Sequence, residues 1–153
     1  MAETHREHDA PLTALHHLEY AYRRSVGPVL GRFFAELRER RIVGVRTAAG
    51  RTLVPPAEYD PDTGDATAEG FVPVGPGGVV KSWTWVAAPR AKQPLPHPFA
   101  YALIRLDGAD TNLLHAVDAG SESRMRTGLR VRPRWRAETK GELLDLACFE
   151  PEA

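Results

Sequence analysis

The stretch Phe99–Asp118 constrains the fold of this chain more than any other. Two apolar runs, Phe99–Leu106 and Leu113–Val117, flank Asp107-Gly108-Ala109-Asp110-Thr111-Asn112, whose Gly and Asx residues suit a turn. The pattern predicts a long β-hairpin at the centre of the core. On its first strand Ala100, Ala102, Ile104 and Leu106 alternate with Phe99, Tyr101, Leu103 and Arg105, so both faces are apolar almost to the end. Such a strand needs cover on two sides. A small barrel can fill one, and helices or a second protein the other.

With 153 residues the chain can bury one core, expected as one main domain plus an appendage. Lys+Arg and Asp+Glu both total 20, so no global field draws it toward nucleic acid or an anionic membrane. The single cysteine, Cys148, excludes an internal disulfide and fits a reducing compartment, so a cytoplasmic location is expected. No apolar run nears the roughly 20 residues of a membrane span, and no signal-peptide core is present.

Residues 1–11 read as a flexible polar tail. Its His5, His8 and Asp9, with His16 and His17, lack the fixed geometry of a metal site. Residues 12–41 read as a helical arm. Leu12, Leu15, Leu18 and Tyr22 form one stripe ending at Arg23-Arg24. After Gly27, Pro28 opens a second helix, on which Val29, Leu30, Phe33, Phe34 and Leu37 make an apolar face. That face either packs on its own chain or meets a partner.

Residues 42–66 carry two Gly-closed turns either side of Pro55-Pro56, the layout of a zinc ribbon without its cysteines. Arg46, Ala49, Asp60 and Thr63 stand at the ligand positions, and that set cannot hold zinc. Residues 67–153 read as the barrel. A short strand is expected at Phe71–Val74, and Val79–Val86 alternates with Val80, Ser82, Thr84 and Val86 inward. That register turns Trp83 and Trp85 outward, to be covered by the helices or to anchor an interface. After the hairpin, Ser121 is a plausible cap for a short helix. From Gly128, Leu129, Val131, Pro133 and Trp135 alternate with Arg130, Arg132, Arg134 and Arg136. The arginine face can clamp an anion such as a CoA phosphate, or pair with Glu138, Glu142, Asp145 and Glu150. Leu143–Phe149 is the last predicted strand. Together these elements predict a mainly β protein with N-terminal α-helices, its body a five-stranded Greek-key barrel of the OB type.

Phe33-Phe34-Ala35-Glu36-Leu37, the turn closing at Gly50, Pro55-Pro56, Asp60–Gly64 and Phe99–Gly108 resemble the acyl-CoA-associated OB-fold proteins, the domain of unknown function thirty-five family. The resemblance runs from Leu12 to Glu150. It implies a helical arm, a rubredoxin-like ribbon, here metal-free, and an OB barrel. It further implies a non-catalytic subunit of a thiolase-superfamily enzyme acting on CoA thioesters, with the subunits of thiolase-like steroid side-chain aldolases as the nearest kind. The partner would be a thiolase-fold or lipid-transfer-protein-like aldolase, in a heterotetramer around a partner dimer, with a hotdog-fold enoyl-CoA hydratase as a further associate. The chain would hold no cofactor of its own, the CoA thioester being bound with the partner.

The interface expected on this reading draws on Leu30, Phe33, Phe34, Leu37, Trp83, Trp85, Phe99 and Tyr101. Two rivals remain. A single-strand nucleic-acid module would use Trp83, Trp85, Tyr101 and the arginine face, against the neutral charge balance. An independent acyl-CoA-binding enzyme would draw on His97, His115, Asp107, Asp110 and Asp118 with Ser121 or Cys148, and His115 and Asp118 are the groups to test first.

Overall fold

The computed structural model describes residues 13–21, 25–67 and 70–152. Residues 13–21 have no regular secondary structure, with Leu15, Leu18 and Tyr20 exposed. The first predicted helix is therefore absent over its described part; Leu12, Tyr22–Arg24 and the tail 1–11 lie outside the described residues. An amphipathic segment this short is not stable as a helix unless its apolar stripe is buried, and here no surface receives it.

Helix α1 (Gly27–Arg38) forms as predicted, with Pro28 in its first turn. Val29, Phe33 and Leu37 are buried one turn apart, while Leu30 and Phe34 are half-buried on the flank. The helix ends in a Schellman motif. The amides of Arg40 and Arg41 donate to the carbonyls of Leu37 and Glu36, and Arg40 takes the left-handed conformation at φ 57°. Glycine is usual there, but the Arg40 guanidinium donates to the carbonyls of Arg136 and Ala137, tying the helix end to the barrel.

Strands β1 (Val43–Arg46), β2 (Thr52–Leu53) and β3 (Phe71–Pro73) form a small antiparallel sheet in the order β2-β1-β3. The strand expected at Phe71–Val74 thus belongs to this sheet and not to the closed barrel. Gly44 is required in β1, because a Cβ there would sit 2.7 Å from Thr52 Cγ2 and 2.9 Å from the Leu53 carbonyl.

Strands β4 (Gly78–Val86), β5 (Phe99–Leu106), β6 (Leu113–Val117), β7 (Arg130–Trp135) and β8 (Leu146–Pro151) close a barrel in the order β4-β5-β6-β8-β7. All pairs are antiparallel except β6–β8. The β5–β6 hairpin pairs from Ala100↔Val117 to Ile104↔Leu113. Ala100, Ala102, Ile104 and Leu106 fill the interior with Val80, Val117, Val131 and Phe149. Phe33 and Leu37 of α1 join the same cluster, as do Val43 and Val54 from the small sheet and Met125 after the short helix Glu122–Arg124. Ser121 makes no capping hydrogen bond to that helix; its hydroxyl meets Ser123. Leu143–Asp145 form a second short helix rather than the start of the last strand.

The other side of β5 has its own small core. Phe99, fully buried, packs with Leu95, Ala116 and Cys148 beneath the connection that precedes it. Further along, Leu103 and Arg105 are exposed.

A β-bulge corrects the expected facing of β4. Pairing passes from Val80↔Ile104 to Ser82↔Leu103, leaving Lys81 as the extra residue. Beyond it Trp83 and Trp85 pair with Ala102 and Ala100 and pack on the barrel core, while Ser82 and Thr84 are exposed. One inserted residue reverses the alternation of every residue after it.

Candidate functional site

The arginine face of β7 is bound up by carboxylates. Arg130 meets Asp107 in a two-bond fork, at 2.7 and 2.8 Å, and also Glu152. Arg132 pairs with Glu150 at 2.8 Å, and Arg134 with Asp118 at 2.9 Å and Glu150 at 3.6 Å. The Arg130 guanidinium beside Asp107 holds that carboxyl below its ordinary range, and the two carboxylates raise Arg130. Arg136, exposed, makes no ion pair among the described residues. Of the expected counter-charges only Glu150 serves; Asp107, Asp118 and Glu152 come from the hairpin turn, the end of β6 and the C-terminal segment. The barrel's closure brings them there. Three of the four arginines are thus engaged by carboxylates of the same chain.

Asp145 has another role. Its buried carboxylate accepts the amides of Lys140, Gly141 and Glu142 at 2.8, 2.7 and 3.1 Å. Burial pushes its pKa up, but the three N–H groups outweigh this and hold it below the ordinary carboxylate range.

The two candidate acid–base groups are not brought together. His115, opposite Ala102, is buried with its ring edge-on to Phe149 at 5.6 Å, and its Nδ1 has no hydrogen-bond partner among the described residues. Burial lowers its pKa, and the Ala116 backbone offsets this only in part. Asp118 instead accepts from Arg134 and lies 3.1 Å from His97 Nε2. Burial raises its pKa, yet Arg134 and His97 prevail and lower it. Cys148 is buried, and desolvation pushes its thiol up to about 11.

Among the expected interface residues, Phe33, Leu37 and Phe99 are core, and Trp83 and Trp85 point inward. Leu30, Phe34 and Tyr101 remain half-buried at the surface. Leu103, part of the strand expected to be apolar on both faces, and Leu114, which the sequence did not single out, pair across β5–β6 and stand exposed beside Tyr101. Their position on the outward face of the hairpin was the available signal. Leu143 and Leu144 are likewise exposed, on the short helix that touches α1.

The turns of residues 42–66 are held by bonds of their own. Thr47–Gly50 and Asp60–Gly64 each carry their own backbone hydrogen bonds, and the Arg51–Asp62 ion pair joins the first turn to the second. Arg46, Ala49 and Thr63 are exposed, while Asp60 is buried and accepts the Asp62 amide. No group of three His, Cys, Asp or Glu that could hold a metal occurs among the described residues. The same residues contain no helix long and apolar enough to cross a membrane.

The turn of the central hairpin fastens this small sheet to the barrel. Asp110 Oδ2 accepts the Thr52 amide, and the Asp110 amide donates to the Thr52 carbonyl, both at 2.8 Å. Thr111 Oγ1 accepts from the Val54 amide and donates to the Val54 carbonyl. The outer edge of β2 is thereby closed.

Residues 71–136 match the family described as ChsH2, C-terminal OB-fold domain. No curated protein matches the sequence. Among solved structures, a DUF35-family protein of unknown function from Sulfolobus solfataricus is 21% identical, with a TM-score of 0.63 over 83% of this chain and 85% of that one. A chain of an Ltp2-ChsH2(DUF35) aldolase is also 21% identical, with a TM-score of 0.62 over 84% of this chain and 98% of that one. The resemblance drawn from the residues is thus borne out: in fold the chain is similar to the DUF35 proteins, and its residues 71–136 match the C-terminal OB-fold domain of ChsH2.

Proposed function

We propose that this chain is a non-catalytic subunit of a thiolase-like aldolase acting on CoA thioesters, as in the degradation of steroid or acyl side chains. The observation that carries the reading is the match of residues 71–136 to the ChsH2 OB-fold domain, in a chain whose fold extends over nearly all of the one from the Ltp2-ChsH2 aldolase. The arrangement of polar groups supports a non-catalytic role. His115 is walled into the core, Asp118 is occupied by Arg134, and Cys148 is a buried thiol. The nucleic-acid reading loses its two supports, since Trp83 and Trp85 face inward and three of the four arginines are paired.

Leu103, Leu114 and Tyr101, with Leu30 and Phe34 of α1, are apolar residues that the fold leaves at the surface for contact with the aldolase. An interface of standard size buries about 800 Å² per partner. The CoA thioester binds with the partner, in an assembly built around a partner dimer, and a hotdog-fold hydratase is a further candidate member.

Affinity capture of the tagged chain from its native host tests this reading. Recovery of a thiolase-like chain in near-equal amount, with retro-aldol cleavage that needs both chains, is the expected result. Recovery of nucleic acid, or cleavage by the chain alone, would overturn it.

A further inference from the structure

The edges of the small sheet are unequal. On β2 the outer edge is closed by Asp110 and Thr111. On β3 it is open. The bonds Arg46 N–H to Gly70 O and Val74 N–H to Ile42 O fix the register, so Val72 exchanges its bonds with Gly44 across the ladder. The N–H and C=O of Phe71 and the C=O of Pro73 then point away from β1. Proline at Pro73 shortens this edge but leaves three backbone groups without a partner among the described residues.

Phe71 and Pro73 also line a groove of about 410 Å³ between β3 and the C-terminal half of α1. Phe71, Pro73, Val74 and Pro76 give it an apolar floor. Its rim is cationic, with Arg32, Arg40 and Arg41 against a single carboxylate, Glu36. Glu36 is taken by Arg41 at 2.7 Å. The Arg32 guanidinium lies over the Phe71 ring, 4.5 Å from its centroid, and has no carboxylate partner among the described residues. Arg40 is held in place through its bonds to the carbonyls of Arg136 and Ala137, again without a carboxylate. In a chain of zero net charge, this rim is a local excess of positive charge beside an unpaired strand edge.

We propose that this groove docks an extended acidic and apolar segment of a partner protein, which adds a strand to β3 and sets its carboxylates against Arg32, Arg40 and Arg41. Each feature selects one property of the ligand. The free Phe71 and Pro73 groups require a peptide backbone, the floor takes alternate apolar side chains, and the guanidinium rim takes acidic ones. The inference stands apart from the aldolase reading, since it rests on the edge and its charges alone.

The test uses the full chain and a labelled hexapeptide alternating glutamate and valine, with an alternating lysine and valine hexapeptide as control. The glutamate peptide is expected to bind saturably and more weakly as salt rises, while the lysine peptide does not bind. The paired change Arg32→Glu and Arg41→Glu should weaken binding at least about tenfold; should it unfold the chain, Arg32→Gln with Arg41→Gln replaces it. Amide exchange at Phe71 should slow in the complex, whereas Val72, already bonded to Gly44, should not change. Equal binding of both peptides, no binding at about 1 mM, or unchanged exchange at Phe71 would overturn the proposal.

Discussion

Asp145 shows how much one buried carboxylate can organise. Three backbone amides converge on it, and each would lose a charge-assisted bond if the carboxylate were removed. Asp145→Ala should therefore cost about 3 kcal/mol in urea unfolding; a loss below about 1 kcal/mol would mean that water replaces the carboxylate. His115 presents the opposite case, a buried imidazole with an unused nitrogen. Its folded pKa lies below its unfolded value of about 6.5. Stability is then complete above that value and declines as pH falls below it and the unfolded state takes up the proton. Asp107, Asp118 and Asp145 are also lowered, so their contribution is present above about 3.9 and is lost as pH falls through the folded values. Unfolding followed from pH 8 to 3 should show two successive acid limbs, and His115→Leu should abolish only the first. The role of Asp145 was not legible in the sequence, where it reads as one more counter-charge for the arginines, because composition does not say which way a side chain faces. For His115 the apolar strand around it already favoured a core or interface position over a base, and only the unused nitrogen was out of reach.

At the scale of elements, β4 carries the plainest lesson. Its alternation was read across Lys81 as if the pleat were unbroken, which placed Trp83 and Trp85 outside. The bulge adds one residue and turns both into the barrel. Trp83→Ala should accordingly destabilise the chain by about 2 kcal/mol, a reduced core penalty for a half-buried ring. A loss under about 0.5 kcal/mol would return Trp83 to the surface. The β5–β6 hairpin, by contrast, was fully legible, since both apolar runs and the turn chemistry lie within one local stretch. Helix α1 was legible for the same reason. The segment before it was not, because helical periodicity in a short segment reports a capacity that only a packing surface realises.

For the whole molecule, the decisive device is the coupling of the small sheet to the barrel through Asp110 and Thr111. Thr111→Val removes both hydroxyl bonds to Val54, leaving the amide and carbonyl of a buried residue unsatisfied. Hydrogen exchange should then accelerate in β2 and its neighbours while β5 and β6 stay protected; equal acceleration in both would mean one cooperative unit. Zinc should play no part. Melting should be unchanged by a chelator, and elemental analysis should find no stoichiometric metal. The β-rich class, the central hairpin, α1 and the lack of a zinc ligand set at Arg46, Ala49, Asp60 and Thr63 follow from the residues alone, because each rests on local periodicity or residue chemistry. Which carboxylates meet Arg130, Arg132 and Arg134, which way the tryptophans face, and how β3 joins the small sheet are settled by the folded chain. Those outcomes depend on strand register and barrel closure, which bring together residues far apart in the chain.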